Sequence, residues 1–461
     1  MTALLWLTRD LRVHDHPALR AALRSCAAVV PVFCFDERLL RGRHASGSRT
    51  QFMLECLADL DERLGGTLVL RRGRPEEELL ELARAVGARE LHYSDDSGPF
   101  ARRRIARVGR ALEAAGVACI AHPGLHAVDD LASLQTHTGR PYTVFSPFHR
   151  TWLGAERREI LEPPPSVPAL PETLDRGALP SLRELGLEQE VEAPLRGGEA
   201  AGRERLARFL RSGVDDYDRN RDALAVDGTS RLSAYLHFGC ISAREVEARL
   251  PSGSGADAFR RQLAWRDFYH HVLLHFPRNA RSEFQERYRG NIAWSRAERR
   301  FEAWRAGLTG FPLVDAAMRQ LRREGWIHNR ARLVAGSFLT KDLGIDWRWG
   351  ERWFMRLLID GDEANNNGNW QWIASVGVDP QPFFRRFYSP SRHQERFDPD
   401  GAYVRRYVPE LRRVPTDHLA EPWTMPRALQ HECACVIGRD YPEPIVDRAV
   451  SRRAAFERYA S

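Results

Sequence analysis

Tryptophan is where this sequence is most unusual. Nine of its twelve tryptophans fall between Trp265 and Trp372, far more than an even spread along 461 residues would place there. A buried indole needs room and a partner for its N–H, so core packing alone rarely gathers so many. Two kinds of chemistry use such a cluster: stacking platforms for a planar ligand or nucleobase, and relays for single-electron transfer. A tryptophan-rich helical core is the alternative. The run Asp360-Gly-Asp362-Glu363-Ala-Asn365-Asn366-Asn367-Gly-Asn369-Trp370-Gln371-Trp372 sets carboxylates and carboxamides in front of two of these indoles. Asparagine competes with a helix for backbone hydrogen bonds, so four of them in a buried helix need a ligand or the backbone to satisfy their amides. A surface turn would also account for them. On a helix, residues two apart project about 200° from each other, so Trp370 and Trp372 would face different environments, one suited to a relay and one to a pocket wall.

Two further runs suit phosphate. Asp227-Gly-Thr229-Ser230-Arg231-Leu232-Ser233 combines a turn, hydroxyls and a guanidinium near a helix start, although many helix caps look the same. From Phe383 to Arg413, eight arginines against four acids interleave with aromatic residues. That is the composition of a phosphate-contacting face, and equally of a solvated surface.

The elements that must position these groups fall into two patterns. Apolar runs at Ala3 to Leu7, Ala28 to Phe35, Thr67 to Leu70, Leu91 to Tyr93 and Val117 to Ala121 read as buried strands. Between them lie amphipathic stretches at Pro17 to Ser25, Ser48 to Leu64, Pro75 to Val86 and Phe100 to Ala115, with proline at entries and glycine at exits. Such alternation predicts an α/β, Rossmann-like doubly wound parallel sheet over residues 1–130, with any ligand at the carboxyl ends of its strands. Seven prolines (163, 164, 165, 168, 171, 180 and 194) mark residues 131–197 as an interdomain linker. Beyond it, helical periodicity predicts an all-α domain over 198–461.

Composition sets the outer bounds. A chain of 461 residues predicts two or three domains, and 43% hydrophobic with 28% charged residues excludes wholesale disorder and a membrane-embedded protein. The net charge of +7 permits a polyanionic partner without demanding one. Lys341 is the sole lysine, so 68 of 69 basic residues are arginine. That uniformity suggests coding bias more than local function, yet it makes the planar guanidinium fork available wherever phosphate or carboxylate is bound. Seven scattered cysteines without a CxxC motif predict a reduced, cytoplasmic compartment. Cys433 and Cys435 are too few for a metal cage and read as a surface pair, so no metal is expected. Neither a signal peptide nor a membrane span is indicated, and a monomer is the expectation.

Five segments carry a specific resemblance: LLWLTRDLRVHDHPAL, DGTSRLSAYLHFG, QLAWRDFYHH, the stretch from GFPLVDAAMRQ to GERWFM, and LIDGDEANNNGNWQW. Together they resemble the DNA photolyase and cryptochrome flavoproteins, on the side of the bacterial class I cyclobutane pyrimidine dimer photolyases, over nearly the whole chain. The resemblance implies an N-terminal antenna domain and a helical FAD-binding domain acting on UV-damaged DNA. It implies FAD contacts from Tyr217, Thr229, Ser230, Arg231, Leu232, Ser233, Arg266, Asn329, Arg332, Asp360, Asp362 and Asn366, with Asp360 paired to Arg332 and Asn366 facing flavin N5. Trp370, Trp347 and Trp294 become the electron relay. Excited reduced FAD would lend one electron to a flipped-out dimer, whose ring splits before the electron returns. Arg221, Gln262, Trp265, Asn329, Arg330, Trp372 and Arg385 would meet the lesion and its phosphates.

Some positions depart from the dimer-repair pattern. Gln262 stands where glutamate is usual and Leu333 where methionine is usual. Gln262 cannot supply a proton but can donate an N–H to a pyrimidine carbonyl. Glutamine there also occurs in (6-4) photolyases and cryptochromes, so a photoreceptor and a (6-4) enzyme are the alternative functions. The histidine pair of (6-4) chemistry would have to stand at Asn329 and Leu333, and His328 alone reads as structural. For the antenna, Arg49 and Asp96 resemble a deazaflavin pocket, whereas Ala280-Arg281 lacks the Cys-Lys pair a folate would want; an empty site is the third option.

Overall fold

The apolar runs become the five strands of one parallel sheet: β1 (Thr2–Leu7), β2 (Ala28–Asp36), β3 (Val69–Gly73), β4 (Ala88–Ser94) and β5 (Ala118–His122). The structure is a computed structural model describing residues 1–170, 173–379 and 381–460. Strand order is β3-β2-β1-β4-β5, with every pairing parallel. The crossover helices are α1 (Pro17–Ser25), α2 (Gly47–Arg63), α3 (Pro75–Val86) and α4 (Pro99–Glu113). Proline opens α1, α3 and α4, where its missing N–H costs no intrahelical bond. The order reverses between β1 and β4, the switch point at which such sheets open a crevice.

Alternation along the strands sorts the side chains onto two faces. Leu4, Trp6, Val30 and Val32 pack with Leu79, Leu82, Val108 and Leu112 of α3 and α4. Leu5, Leu7, Phe33 and Phe35 instead join one continuous core with Tyr235, Phe238 and Phe268 of the helical domain. The second face of the sheet is therefore the foundation of the other domain.

The segment expected as linker differs in part. Residues Phe145–Gly154 form a helix, α5, because Phe145, Phe148 and Trp152 recur at spacings of three and four and bury one face. Phe145 lies flat on Trp265 with centroids 3.6 Å apart, and Trp152 Nε1 donates to Asp267 at 3.0 Å. Only the later, proline-rich part runs largely over the surface; Pro171 lies outside the described residues. Beyond it, the helices that matter to the site are α6 (Glu199–Ser212), α7 (Ser233–Phe238), α8 (Ser254–His275), α9 (Pro312–Glu324), α10 (Asn329–Ser337), α11 (Trp347–Leu357), α12 (Glu363–Ile373), α13 (Pro390–Phe397) and α14 (Arg448–Ala460). Cys433 and Cys435 are buried rather than a surface pair, drawn in with Met425 and Tyr441. Among the described residues no helix is long and apolar enough to cross a membrane.

Two features lock the domains together behind β1. The Arg12 guanidinium, fully buried, donates to the carbonyls of Gly124 at 2.8 Å and Gly239 at 2.9 Å, one in each domain, and also to those of His14 and Asp15. Gly239 closes α7 at φ +65°, where a β-carbon would overlap the Arg9 carbonyl. Gly239→Ala should therefore lower the unfolding free energy by about 2–3 kcal/mol. Gly87→Ala, at a similar φ but with open space around it, should cost only about 1 kcal/mol, both read from urea unfolding.

Candidate functional site

A cavity of about 470 Å³ opens in the helical domain. It gathers Tyr217, the run Thr229 to Ser233, Gln262, Trp265, Arg266, Asn329, Arg332, Asp360, Asp362, Asn366, Trp370 and Trp372. Residues from five separate stretches of sequence thus meet at one place, each of them marked beforehand.

Helix α12 supplies the floor. Asp362 caps it, accepting from the Asn365 backbone N–H at 2.9 Å and its amide at 2.8 Å. The asparagines are comfortable in this helix because most of their amides have protein partners: Asn366 Nδ2 donates to the Glu351 carbonyl at 3.0 Å and Asn369 Nδ2 to the Asn365 carbonyl at 2.8 Å. Asn366 keeps its side-chain oxygen as an acceptor. Arg332 pairs with Asp360 at 2.8 Å as expected, while Asp360 Oδ1 is buried without a partner among the described residues. A donor from a ligand would complete it.

Asp362 has an unanticipated set of neighbours. Arg9, at the end of β1, donates to it at 2.7 Å and grips Asp96 with its other nitrogens at 3.0 and 3.1 Å. His237 and His270 stand 3.5 and 3.4 Å from its oxygens, and Ser97 pairs with His270 at 2.9 Å. Burial pushes the Asp362 pKa up, but His270, His237 and Arg9 outweigh it and hold the carboxylate well below its usual range. Burial drives the His270 pKa down to about 3 and lowers that of His237, which leaves Arg9 as the permanent cation beside the carboxylate. Asp96 is likewise held at about 2 despite its burial, first of all by Arg9. Arg9, His237 and His270 were not marked by the sequence; Arg9 and Asp362 are 353 positions apart.

The Thr229 to Ser233 turn differs from expectation in one side chain. Arg231 takes φ +51°, and its guanidinium turns away to Asp227 and Glu324 and stacks over Trp326 at 4.4 Å. Two carboxylates and an indole face outcompete an open cavity, leaving the hydroxyls and backbone of the turn to face the site. His328, read as structural, accepts from Arg330 N and so caps α10.

The two indoles of α12 do face different surroundings. Trp370 is buried, edge-on to Trp304 (6.2 Å) and Phe354 (5.0 Å). Trp372 is half-buried beneath the Arg386 guanidinium, 4.0 Å from its ring. Trp265, backed by Phe145, stands on α8 beside Gln262, whose amide makes only a 3.4 Å contact with the Ala258 carbonyl and is otherwise free to donate. Trp347 and Trp294 lie outside the cavity: Trp347 is buried with Nε1 on Glu283 at 3.3 Å, and Trp294 is half-buried, edge-on to Tyr459 at 6.2 Å. Of the three arginines expected at phosphates, Arg385 is exposed and, among the described residues, bonded to Gln381. Arg221 is half-buried. Arg330 is already claimed by Asp222, at 2.8 and 2.6 Å, and lies over Phe397.

A second, larger cavity of about 1060 Å³ lies at the carboxyl ends of β1, β2 and β4, lined by nine arginines against four carboxylates. Arg49 and Asp96 both line it. Their tips are occupied, Arg49 by the carbonyls of Met355, Leu358 and His44, and Asp96 by Arg9. Burial without a carboxylate contact lowers the Arg49 pKa to about 10. His237 and Asp362 line both cavities and so form the partition between them, with Arg9, which bonds Asp362, on the side of the larger one.

Glu351 is a further group the sequence did not reveal. It stands on α11 behind Asn366 and Asn367, with Oε1 buried and without a hydrogen-bond partner among the described residues, and burial, only partly offset by Arg43 and Asn367, raises its pKa to about 7. A carboxyl kept protonated in the native state but ionised at about 4.5 in the unfolded chain withdraws stability as pH rises between those values. Glu351→Gln should abolish that slope, making the variant more stable than the parent at pH 7 by on the order of 3 kcal/mol, with the two converging below pH 4.5. Urea unfolding at stepped pH reads this directly.

Comparison with known proteins agrees with this geometry. Residues 3–170 match the family model described as DNA photolyase, and residues 259–461 the one described as FAD binding domain of DNA photolyase. A deoxyribodipyrimidine photo-lyase of Streptomyces griseus is 41% identical over 99% of this chain and 98% of its own. The crystal structure of a bacterial class III photolyase from Agrobacterium tumefaciens superposes with a TM-score of 0.93 at 32% identity, covering 100% of this chain and 97% of that one. A cryptochrome of Synechocystis gives 0.90 at 28% identity, covering 99% and 98%. With both domains, the cavity of the helical domain and full-length relatives in agreement, the chain belongs to the DNA photolyase and cryptochrome family.

Proposed function

We propose that the chain is a light-driven repair enzyme that splits cyclobutane pyrimidine dimers in UV-damaged DNA, with FAD held in the cavity of the helical domain. The observation that carries this reading is the cavity itself, which brings Asp360, Asp362 and Asn366 together with Trp265 and Trp372. The residues fit FAD: Asp360 Oδ1 and the Asn366 oxygen are acceptors in want of donors, and Thr229, Ser230 and Ser233 bring hydroxyls for a pyrophosphate. Tyr217, Leu232, Arg266, Asn329 and Arg332 would complete that site. Bound and reduced, FAD supplies the light-driven electron.

The chain's own residues do the rest. A photolyase must take the lesion out of the duplex, and Trp265 and Trp372 offer it stacking faces worth about 1–3 kcal/mol per base. Gln262 donates an N–H to a pyrimidine carbonyl, and being neutral at every pH it needs no tuned pKa. Arg385, Arg221 and, once released from Asp222, Arg330 hold phosphates and position the strand without reading sequence. Trp370, with Trp347 and Trp294, serves to photoreduce the flavin.

Among the described residues, His237 is the sole histidine lining the cavity, and it is bound up with Asp362 on the partition. Asn329 and Leu333 stand where (6-4) chemistry would need its histidine pair, which favours the cyclobutane lesion. The likeness to the Synechocystis cryptochrome supports a blue-light photoreceptor as the second reading. For the strand-end cavity, its arginine excess supports an anionic antenna chromophore, a deazaflavin before a folate, because Ala280 and Arg281 line it. Mass spectrometry of the acid-released pigments identifies it.

The test of function is repair of two defined duplexes, one carrying a cyclobutane thymine dimer and one a (6-4) photoproduct, by reduced protein in blue light and in the dark. Light-dependent loss of the first lesion alone is expected; repair of the second alone, or of neither with flavin bound, overturns the reading. Gln262→Ala should weaken dimer binding about tenfold. Trp370→Phe should slow flavin photoreduction by at least about tenfold yet leave repair by chemically reduced protein intact.

A further inference from the structure

In a chain whose other 68 basic residues are arginine, the single lysine sits at an unusual place. Lys341 lies in a five-residue π-helical turn, Phe338–Asp342, that follows α10, and its side chain is fully buried. π-helical turns often accompany functional sites. Lys341 Nζ donates to the Ile373 carbonyl at 2.6 Å, the Arg386 carbonyl at 2.7 Å and Ser375 Oγ at 3.3 Å. Three acceptors converging on one point suit a tetrahedral nitrogen with rotatable donors, whereas a guanidinium sends its donors outward in a plane. Coding bias toward arginine therefore meets a geometric limit at this position.

The acceptors explain what is held. Ile373 is the last residue of α12, directly after Trp372, and Arg386 ends the turn Phe383–Arg386. Ser375 and Asp379, between them, adopt φ +63° and +66°, which non-glycine residues hold only when their surroundings compel it. From its anchored backbone Arg386 sends its guanidinium back over Trp372 at 4.0 Å, bonding the Trp372 carbonyl at 3.0 Å and Asp379 Oδ2 at 3.0 Å. Burial pushes the Lys341 pKa well down and the neighbouring Arg386 adds to the effect, while Asp342 opposes it.

We propose that Lys341 is a positioning residue for lesion binding: it ties the end of α12 to Arg386, so that Arg386 backs one face of Trp372 and the other face stays presented to the flipped-out bases. This rests on the reading of Trp372 as a wall of the lesion site. Lys341 does not itself line the cavity. Other bonds keep the segment folded without it: Ser337 Oγ also donates to the Arg386 carbonyl at 3.1 Å, and Tyr459 Oη to the Ala374 carbonyl at 2.6 Å.

The test compares the flavin-loaded parent with Lys341→Met. Affinity for a dimer-containing duplex should fall about tenfold, affinity for the undamaged duplex should stay within about twofold, and flavin content and the rate of photoreduction should not change. A parallel fall in both affinities together with flavin loss would mean a merely structural role and overturn the proposal, as would unchanged lesion affinity. A second measurement needs no variant. Because the chain has one lysine, selective side-chain ¹⁵N-lysine labelling of the parent gives a single lysine NMR signal. That signal should shift with the dimer duplex and not with the undamaged one; a signal indifferent to both overturns the proposal. If the parent itself shows no preference for the dimer, the lesion-site reading falls and the proposal with it.

Discussion

The carboxylate of Asp362 is the interaction on which the rest of the site depends. One oxygen caps α12, fixing where the helix that carries Asn366, Trp370 and Trp372 begins. The other holds Arg9 of the sheet domain at 2.7 Å, across the boundary between the domains. A buried carboxylate is tolerable only when paired and hydrogen-bonded. Here the pairing forces the loop after β1, the partition between the cavities and the start of α12 into mutual register. Removing Arg9 would leave the largely buried Asp362 without its permanent cation.

From that register two environments follow on a single helix. Residues two apart on α12 project to different sides, so Trp370 packs edge-on against Trp304 and Phe354 while Trp372 lies beneath Arg386, and both reach the cavity. A similar division appears in the sheet, whose alternating side chains serve its own helices on one face and the helical domain on the other.

Much of this was legible beforehand because it rests on local signals. The strands stood out as short apolar runs, α1 and α3 were bounded by Pro17, Ser25, Pro75 and Val86 to the residue, and the cavity residues sat in dense runs of Asn, Asp, Trp and hydroxyls. The pairing of Arg332 with Asp360 was likewise anticipated. What escaped was long-range. Helix α5 was hidden in a stretch whose prolines argued for a linker, and its aromatic stripe acquires meaning only against α8. Arg231 looked like a phosphate contact until Glu324, 93 positions away, claimed it.

The sequence by itself determined the α/β and all-α architecture, because periodicity and turn chemistry are properties of neighbouring residues, and its motifs carried the resemblance that named the family and many of the polar residues lining the helical cavity. Only the tertiary structure decided which charges are free and which are spent. Arg49, Arg231 and Arg330 are engaged by partners remote in the chain, while Arg385 and the Gln262 amide remain largely available. The same holds for the lone lysine, which composition could only record as an exception. The physical reason is that a guanidinium, an ammonium or a carboxylate is defined by what surrounds it, and in a folded chain those surroundings come from residues that sequence order keeps far apart.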